Sequence, residues 1–231
     1  MKYKLPRQLF DQATLQIISR EIRKQKIEVL RISKQNLKEL FLVCKAIQET
    51  GLPENLVCKK LPKGLGSGIF LHPKAKPILK GQVIGTYSGE VAILPQNEPG
   101  ESSYAFAPLC NILLSKEEQA RIDPKNKFHP KRLYALDIDA LSQGNFIRFI
   151  NHCDKPNVVA HLFKIPTNPY GLEPSPLEVI YIAKKTIHPG EQLLICYEGD
   201  DNSYWDNLKI KPLPMTPKTY TLSPSLKITK N

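Results

Sequence analysis

The sequence predicts an α+β protein, mostly β, with a helical segment at its amino end. Residues 7–52 contain no proline, in a chain of 231 residues that has 20, and no glycine before Gly51. Within that stretch apolar residues recur at Leu15, Ile18 and Ile22, then at Leu37, Leu40, Phe41, Val43 and Ile47, the spacing of one helical face. After Pro53 the texture changes to β-branched, glycine-punctuated runs. "GLGSGIF", "GQVIGTYSGEVAIL", "EVIYIAKK" and "EQLLICY" read as strands.

In chain order, residues 1–55 form a helical arm of one or two amphipathic helices, broken near Ser33 and stopped by Gly51 and Pro53. Such an arm either packs on the main domain or serves as a dimerisation or partner-binding segment. Residues 56–206 form the main domain. Its insert at about 95–133 is rich in polar residues and proline, with one short helix where Ser115 and Glu118 stand at capping-box spacing. Residues 207–231, with "KPLPMTPK" and "LSPSLK", read as an extended, mobile basic tail. No internal repeat is visible.

An apolar content of 41% supports a true core. No apolar run approaches the roughly 18 residues of a membrane span. The amino terminus, "MKYKLPRQLF", is charged with no apolar stretch behind it, so no secretory signal is expected. Five scattered cysteines, none in a CxxC pair, read as free thiols in a reducing compartment, with neither a disulfide framework nor a zinc cluster. The net charge of +11 is uneven: +7 in residues 1–60, +4 in 205–231, and zero between. Basic flanks are either solvated faces or a means of reaching something acidic such as DNA.

The run "FIRFINHCDKPN" (146–157) ends a hydrophobic stretch in Asn151-His152-Cys153-Asp154. As a metal site it fails, since consecutive strand side chains point to opposite faces and no second ligand cluster follows. As a thiol hydrolase it is weak, since catalytic Cys and His usually meet from distant positions. The glycine run at 64–68 lacks the Gly-Lys-Ser/Thr ending of a phosphate loop, yet its backbone can approach a ligand closely.

Order along the chain is more specific. The glycine loop comes first, then Tyr87-Ser88-Gly89-Glu90, then "IDALSQGNFIRFINHCDKPN", then "GEQLLICYEGDDNSYW". In that arrangement, over about residues 60–205, the sequence resembles the SET-domain protein lysine methyltransferases. The resemblance implies a mostly β SET fold in which the Asn-His segment passes beneath a carboxy-terminal loop as a pseudoknot. It implies S-adenosylmethionine as cofactor. Gly66, Ser67, Gly68 and Ile69 would offer backbone groups to its methionine part, with Asn151 and the His152 backbone hydrogen-bonding around it. Trp205 would pack on the adenine. Tyr197 corresponds to the tyrosine that closes the active site, and Tyr87 and Tyr104 to residues lining the lysine channel. Pro156 and Asn157 would fix the turn and satisfy neighbouring backbone groups. Cys153 and Asp154 would be structural.

The implied chemistry is direct in-line displacement by a neutral lysine. From a reference pKa near 10.4, deprotonation at pH 7 costs about 4.6 kcal/mol. Burial beside a cationic sulfonium lowers that cost, so no dedicated base is required. The chain departs from many family members in lacking the cysteine-rich zinc elements before and after the domain. Ile195 stands where Phe or Tyr is usual, which leans the expectation towards di- or trimethylation. Histones or histone-like proteins are the implied substrates, DNA is a further contact through the basic flanks, and a homodimer could form through the amino-terminal helices. The alternatives are a SET fold that has lost catalysis and recruits partners, or a basic nucleic-acid-binding protein. The site of action is a bacterial cytoplasm or a host nucleus to which the protein is delivered.

Overall fold

A computed structural model describes residues 12–62, 65–96, 104–164, 178–197 and 214–222. In chain order the elements are helix α1 (Gln12–Lys24), strand β1 (Val29–Arg31), helix α2 (Lys34–Thr50), β2 (Leu56–Lys60), β3 (Ser67–Leu71), β4 (Val83–Thr86), β5 (Glu90–Pro95) and β6 (Ala105–Leu113). Helix α3 (Lys116–Ile122), β7 (Leu133–Asp139), a 3-10 turn (Phe146–Phe149), β8 (Asn151–His152), β9 (Val158–Lys164), β10 (Glu178–Ala183) and β11 (Leu194–Ile195) follow. No helix among the described residues is long and apolar enough to cross a membrane.

The chain divides into two compact units. The first takes the described residues of Met1–Ile32, Tyr87–Asn145 and Leu162–Val179. Its frame is an antiparallel sheet in the order β5-β7-β6. Ile17 and Ile18 of α1 are buried in one cluster with Ile93, Leu109, Ile112, Leu114, Tyr134 and Leu136 of the sheet region. The first helix is therefore part of this unit's core, and its apolar stripe is already occupied. Between α1 and α2, Val29–Arg31 pairs in parallel with Leu162–Lys164, a short strand with no signature in the sequence.

The described part of the 95–133 region is more regular than its composition suggests. Helix α3 carries the expected capping box, with Ser115 Oγ accepting from the Glu118 N–H and the Glu118 carboxylate accepting from the Ser115 N–H. The nine-residue strand β6 is an addition to the expectation. It is disguised because its ladder is irregular in two places, between Phe106 and Leu109 and between Leu109 and Ile112. Pro108, which has no N–H to donate, falls in the first irregularity. Asn111, with φ 56°, falls in the second, where its N–H donates to Gln96 Oε1.

The second unit takes Ser33–Thr86, Phe146–His161 and the described residues of Ile180–Asn231. Ser33 begins it as the N-cap of α2, accepting from the Asn36 N–H, and Gly51 closes the helix as its C-cap. The expected break and stop are both where the sequence places them. Leu40, Cys44 and Ile47 bury one face of α2, and Glu39 accepts the Val83 N–H of β4 at 3.3 Å. Strands β2 and β3 pair as an antiparallel hairpin, and β4 pairs with Ile180–Ile182 of β10.

The feature that positions the site is the parallel pairing of β8 with β11, with Asn151 opposite Leu194 and His152 opposite Ile195. Asn157, fully buried, clamps the pairing: its Nδ2 donates to the Gln192 carbonyl and its Oδ1 accepts the Leu194 N–H, each at 2.8 Å. This is the backbone-satisfying role expected of Asn157. Residues 214–222, part of the segment read as a mobile tail, fold back onto the same place. Gln192 N–H donates to Pro217 O, Leu222 N–H to Gly190 O, and the Cys153 thiol to Met215 O. Residues 214–222 are thus hydrogen-bonded both to the residues just ahead of β11 and to Cys153 just after β8.

Candidate functional site

The expected site residues fall in both units. Gly66, Ser67, Gly68, Ile69, Asn151, His152, Ile195 and Tyr197 belong to the second, Tyr87 and Tyr104 to the first, and Trp205 lies outside the described residues.

In the second unit the β8–β11 pairing does the assembling. The ladder ends after His152 and Ile195, with the Cys153 N–H donating to Ile195 O. Where a next rung would take the N–H of Tyr197, the His152 imidazole takes it instead, at 3.1 Å on Nδ1. The two rings lie 5.5 Å apart at 60°. The Tyr197 hydroxyl donates to Ile150 O at 2.9 Å. Histidine and tyrosine, 45 residues apart, therefore face each other on one side of the crossing.

Asn151 extends the arrangement to the glycine loop, its Nδ2 donating to Ser67 O at 2.8 Å. Gly66 has φ +71°, a region L side chains rarely adopt, and among the described residues, its chain neighbours aside, no atom lies within 4 Å of the place its Cβ would occupy. Gly68 is crowded instead: a Cβ there would lie 2.6 Å from Gln192 Nε2. That amide is fully buried, and neither its nitrogen nor its oxygen has a hydrogen-bond partner among the described residues. Buried polar atoms left in that state are costly, so the base of the loop has unmet capacity for a polar ligand or a water. Gln192 carries little signal in the sequence. Its only signal there is a polar residue inside the apolar run "EQLLIC".

The residues of "NHCD" do not converge on a metal. His152 spends Nδ1 on Tyr197, and its Nε2 lies 3.0 Å from Asp154 Oδ1. Cys153 is 1% exposed, and burial pushes its thiol up, away from the thiolate a nucleophile needs. It behaves as a structural thiol, as expected. Asp154, also read as structural, has a specific partner in His152.

In the first unit Tyr87 is buried and packs on Phe106 at 5.6 Å between ring centroids. Its hydroxyl donates to the Tyr104 backbone carbonyl. The two channel candidates therefore touch, with Tyr104 meeting Tyr87 through its main chain.

No curated protein matches the chain. Among solved structures it is similar to KRYPTONITE in complex with mCHH DNA, H3(1-15) peptide and SAH, at 24% identity and a TM-score of 0.41, over 66% of this chain and 25% of that one. It is also similar to ATXR5 in complex with histone H3.1, at 18% identity and a TM-score of 0.49, over 76% of this chain and 71% of that one. The chain thus spans about a quarter of the length of the first. The family model of the SET domain matches residues 74–198, more than half of the chain. That match runs from ahead of β4 to just beyond Tyr197 and takes in the whole β8–β11 crossing, and by it the chain belongs to the SET-domain family.

Proposed function

We propose that this protein is an S-adenosylmethionine-dependent protein lysine N-methyltransferase acting on histones or histone-like basic proteins. The observation that carries the reading is the β8–β11 crossing, which seats Tyr197 against His152 while Asn151, on the same strand as His152, ties down the glycine loop. When bound, the cofactor supplies an electrophilic methyl group on a sulfonium. Backbone groups of Gly66, Ser67, Gly68 and Ile69, with Asn151 and the His152 backbone, would hold its methionine part, and Trp205 its adenine. The space at Gly66 and the Gln192 amide, which has no hydrogen-bond partner among the described residues, fit a polar ligand there.

Tyr197 would orient the neutral amine through its hydroxyl, and Tyr87 and Tyr104 would line the lysine's approach. Catalysis would then be mainly positioning. Ile195, buried and without a hydroxyl, leaves no side-chain oxygen at its position to hold a water, consistent with di- or trimethylation. The basic flanks would bring the protein to DNA carrying its substrate, in a bacterial cytoplasm or a host nucleus according to which proteins are modified.

The test is transfer of labelled methyl groups from S-adenosylmethionine to a panel of core histones and bacterial histone-like proteins, with products read by mass spectrometry. Wild type should methylate lysine, and Tyr197→Phe should lose about a hundredfold or more in turnover while keeping the cofactor-induced rise in Tm. No labelling and no thermal shift would favour a binding module. DNA binding that weakens steeply with salt in the same inactive protein would favour a nucleic-acid-binding role.

A further inference from the structure

We propose that Asp154 is a positioning residue for Tyr197, acting through the tautomer of His152. The inference rests on the methyltransferase reading only for its kinetic consequence. Its structural half stands on two distances. The Tyr197 N–H donates to His152 Nδ1 at 3.1 Å, and His152 Nε2 lies 3.0 Å from Asp154 Oδ1.

A neutral imidazole carries one proton, and the two ring nitrogens compete for it. Accepting from a backbone N–H requires Nδ1 to be bare, so the proton must sit on Nε2. A carboxylate is an acceptor only, and placed at Nε2 it selects that tautomer. Without it only the Tyr197 N–H still holds the tautomer, and the Nδ1–H form becomes more accessible. In that form two N–H donors confront each other at Tyr197, and the backbone of the residue whose hydroxyl meets the substrate is released. The ring itself is held in place, since the His152 side chain is 6% exposed. Asp154 is different: its side chain is 76% exposed, it packs little, and its removal should leave the fold intact. The sequence offers no hint of this, because Asp154 is two residues from His152 and Tyr197 is 45.

The experiment compares wild type with Asp154→Ala and Asp154→Asn. Nitrogen-15 spectra of the imidazole read the tautomer directly, with or without activity. Wild type should show a bare Nδ1 and a protonated Nε2; Asp154→Ala should show a mixture. In methyl transfer, Asp154→Ala should lower kcat about three- to tenfold, the scale of one lost polar contact at an exposed group. KM for S-adenosylmethionine and Tm should hold. Asp154→Asn keeps an acceptor oxygen and should recover part of the rate. An unchanged tautomer in Asp154→Ala overturns the proposal, as does a rate loss that Asn does not relieve or that tracks a fall in Tm. If wild type transfers no methyl groups at all, the methyltransferase reading fails, while the spectra still decide the role of Asp154.

Discussion

The two units reach order by different means. In the first, Ile17 and Ile18 of α1 pack with Ile93, Leu109, Ile112 and Tyr134, and the geometry is fixed by filling volume. In the second, the crossing around β8 and β11 is pinned by side chains that each complete a backbone bond. Asn151 meets Ser67, Asn157 meets Gln192 and Leu194, His152 meets Tyr197, and Cys153 meets Met215. Apolar packing tolerates exchange among residues of similar size. A polar clamp does not, because each lost partner leaves a buried group unsatisfied. The run "NHCDKPN" is polar because the crossing around it is built from main-chain groups that need partners.

Substitutions can break that contrast. Ile112→Ala, at a fully buried position, should cost about 2–5 kcal/mol in denaturant unfolding, with hydrogen exchange accelerating first in α1 and β6. Asn157→Leu nearly conserves volume, so a packing role predicts a small loss. If the clamp is what matters, the loss is about 2–4 kcal/mol, from stranding the Gln192 carbonyl and the Leu194 N–H. Equal tolerance of Leu at 157 would erase the distinction between the units.

The smallest effect sharpens the comparison from the other side. Asp137 sits on β7 of the first unit, and burial, together with the Asp139 charge, pushes its carboxyl up. A carboxyl raised in the folded state penalises folding once it ionises. The penalty is absent below the ordinary aspartate value of about 4 and complete above the folded value. Asp137→Asn should therefore raise Tm by about a degree or two at pH 7, and the gain should vanish on acidification below about pH 4. A gain that persists in acid would mean that packing, rather than charge, is responsible.

What the sequence made legible follows the range of the interactions involved. The break at Ser33, the stop at Gly51 and the box at Ser115 and Glu118 are local, each written within four residues. Tyr197, Asn151 and the glycine loop were legible through the order of four motifs, and no single one sufficed. Strand β6 was hidden because Pro108 and Asn111 spoil its local pattern, and the ladder with β7 overrides them. The His152–Tyr197 contact through which Asp154 would act, the burial of Gln192 against Gly68 and the docking of 214–222 depend on residues brought close only by the tertiary fold. Neither periodicity nor spacing carries a trace of those.

That docking also sets a timetable for synthesis. Unless the chain has been made as far as Met215, the Cys153 thiol has no carbonyl to meet, and the return bond from Leu222 to Gly190 closes later still. A growing chain that has emerged only as far as Tyr197 holds both strands of the β8–β11 pairing without the segment that hydrogen-bonds to its neighbours. Long-range closures of this kind are the slow steps of folding. A nascent protein of this sequence can complete these bonds only after residue 222 has been made, well after Tyr197.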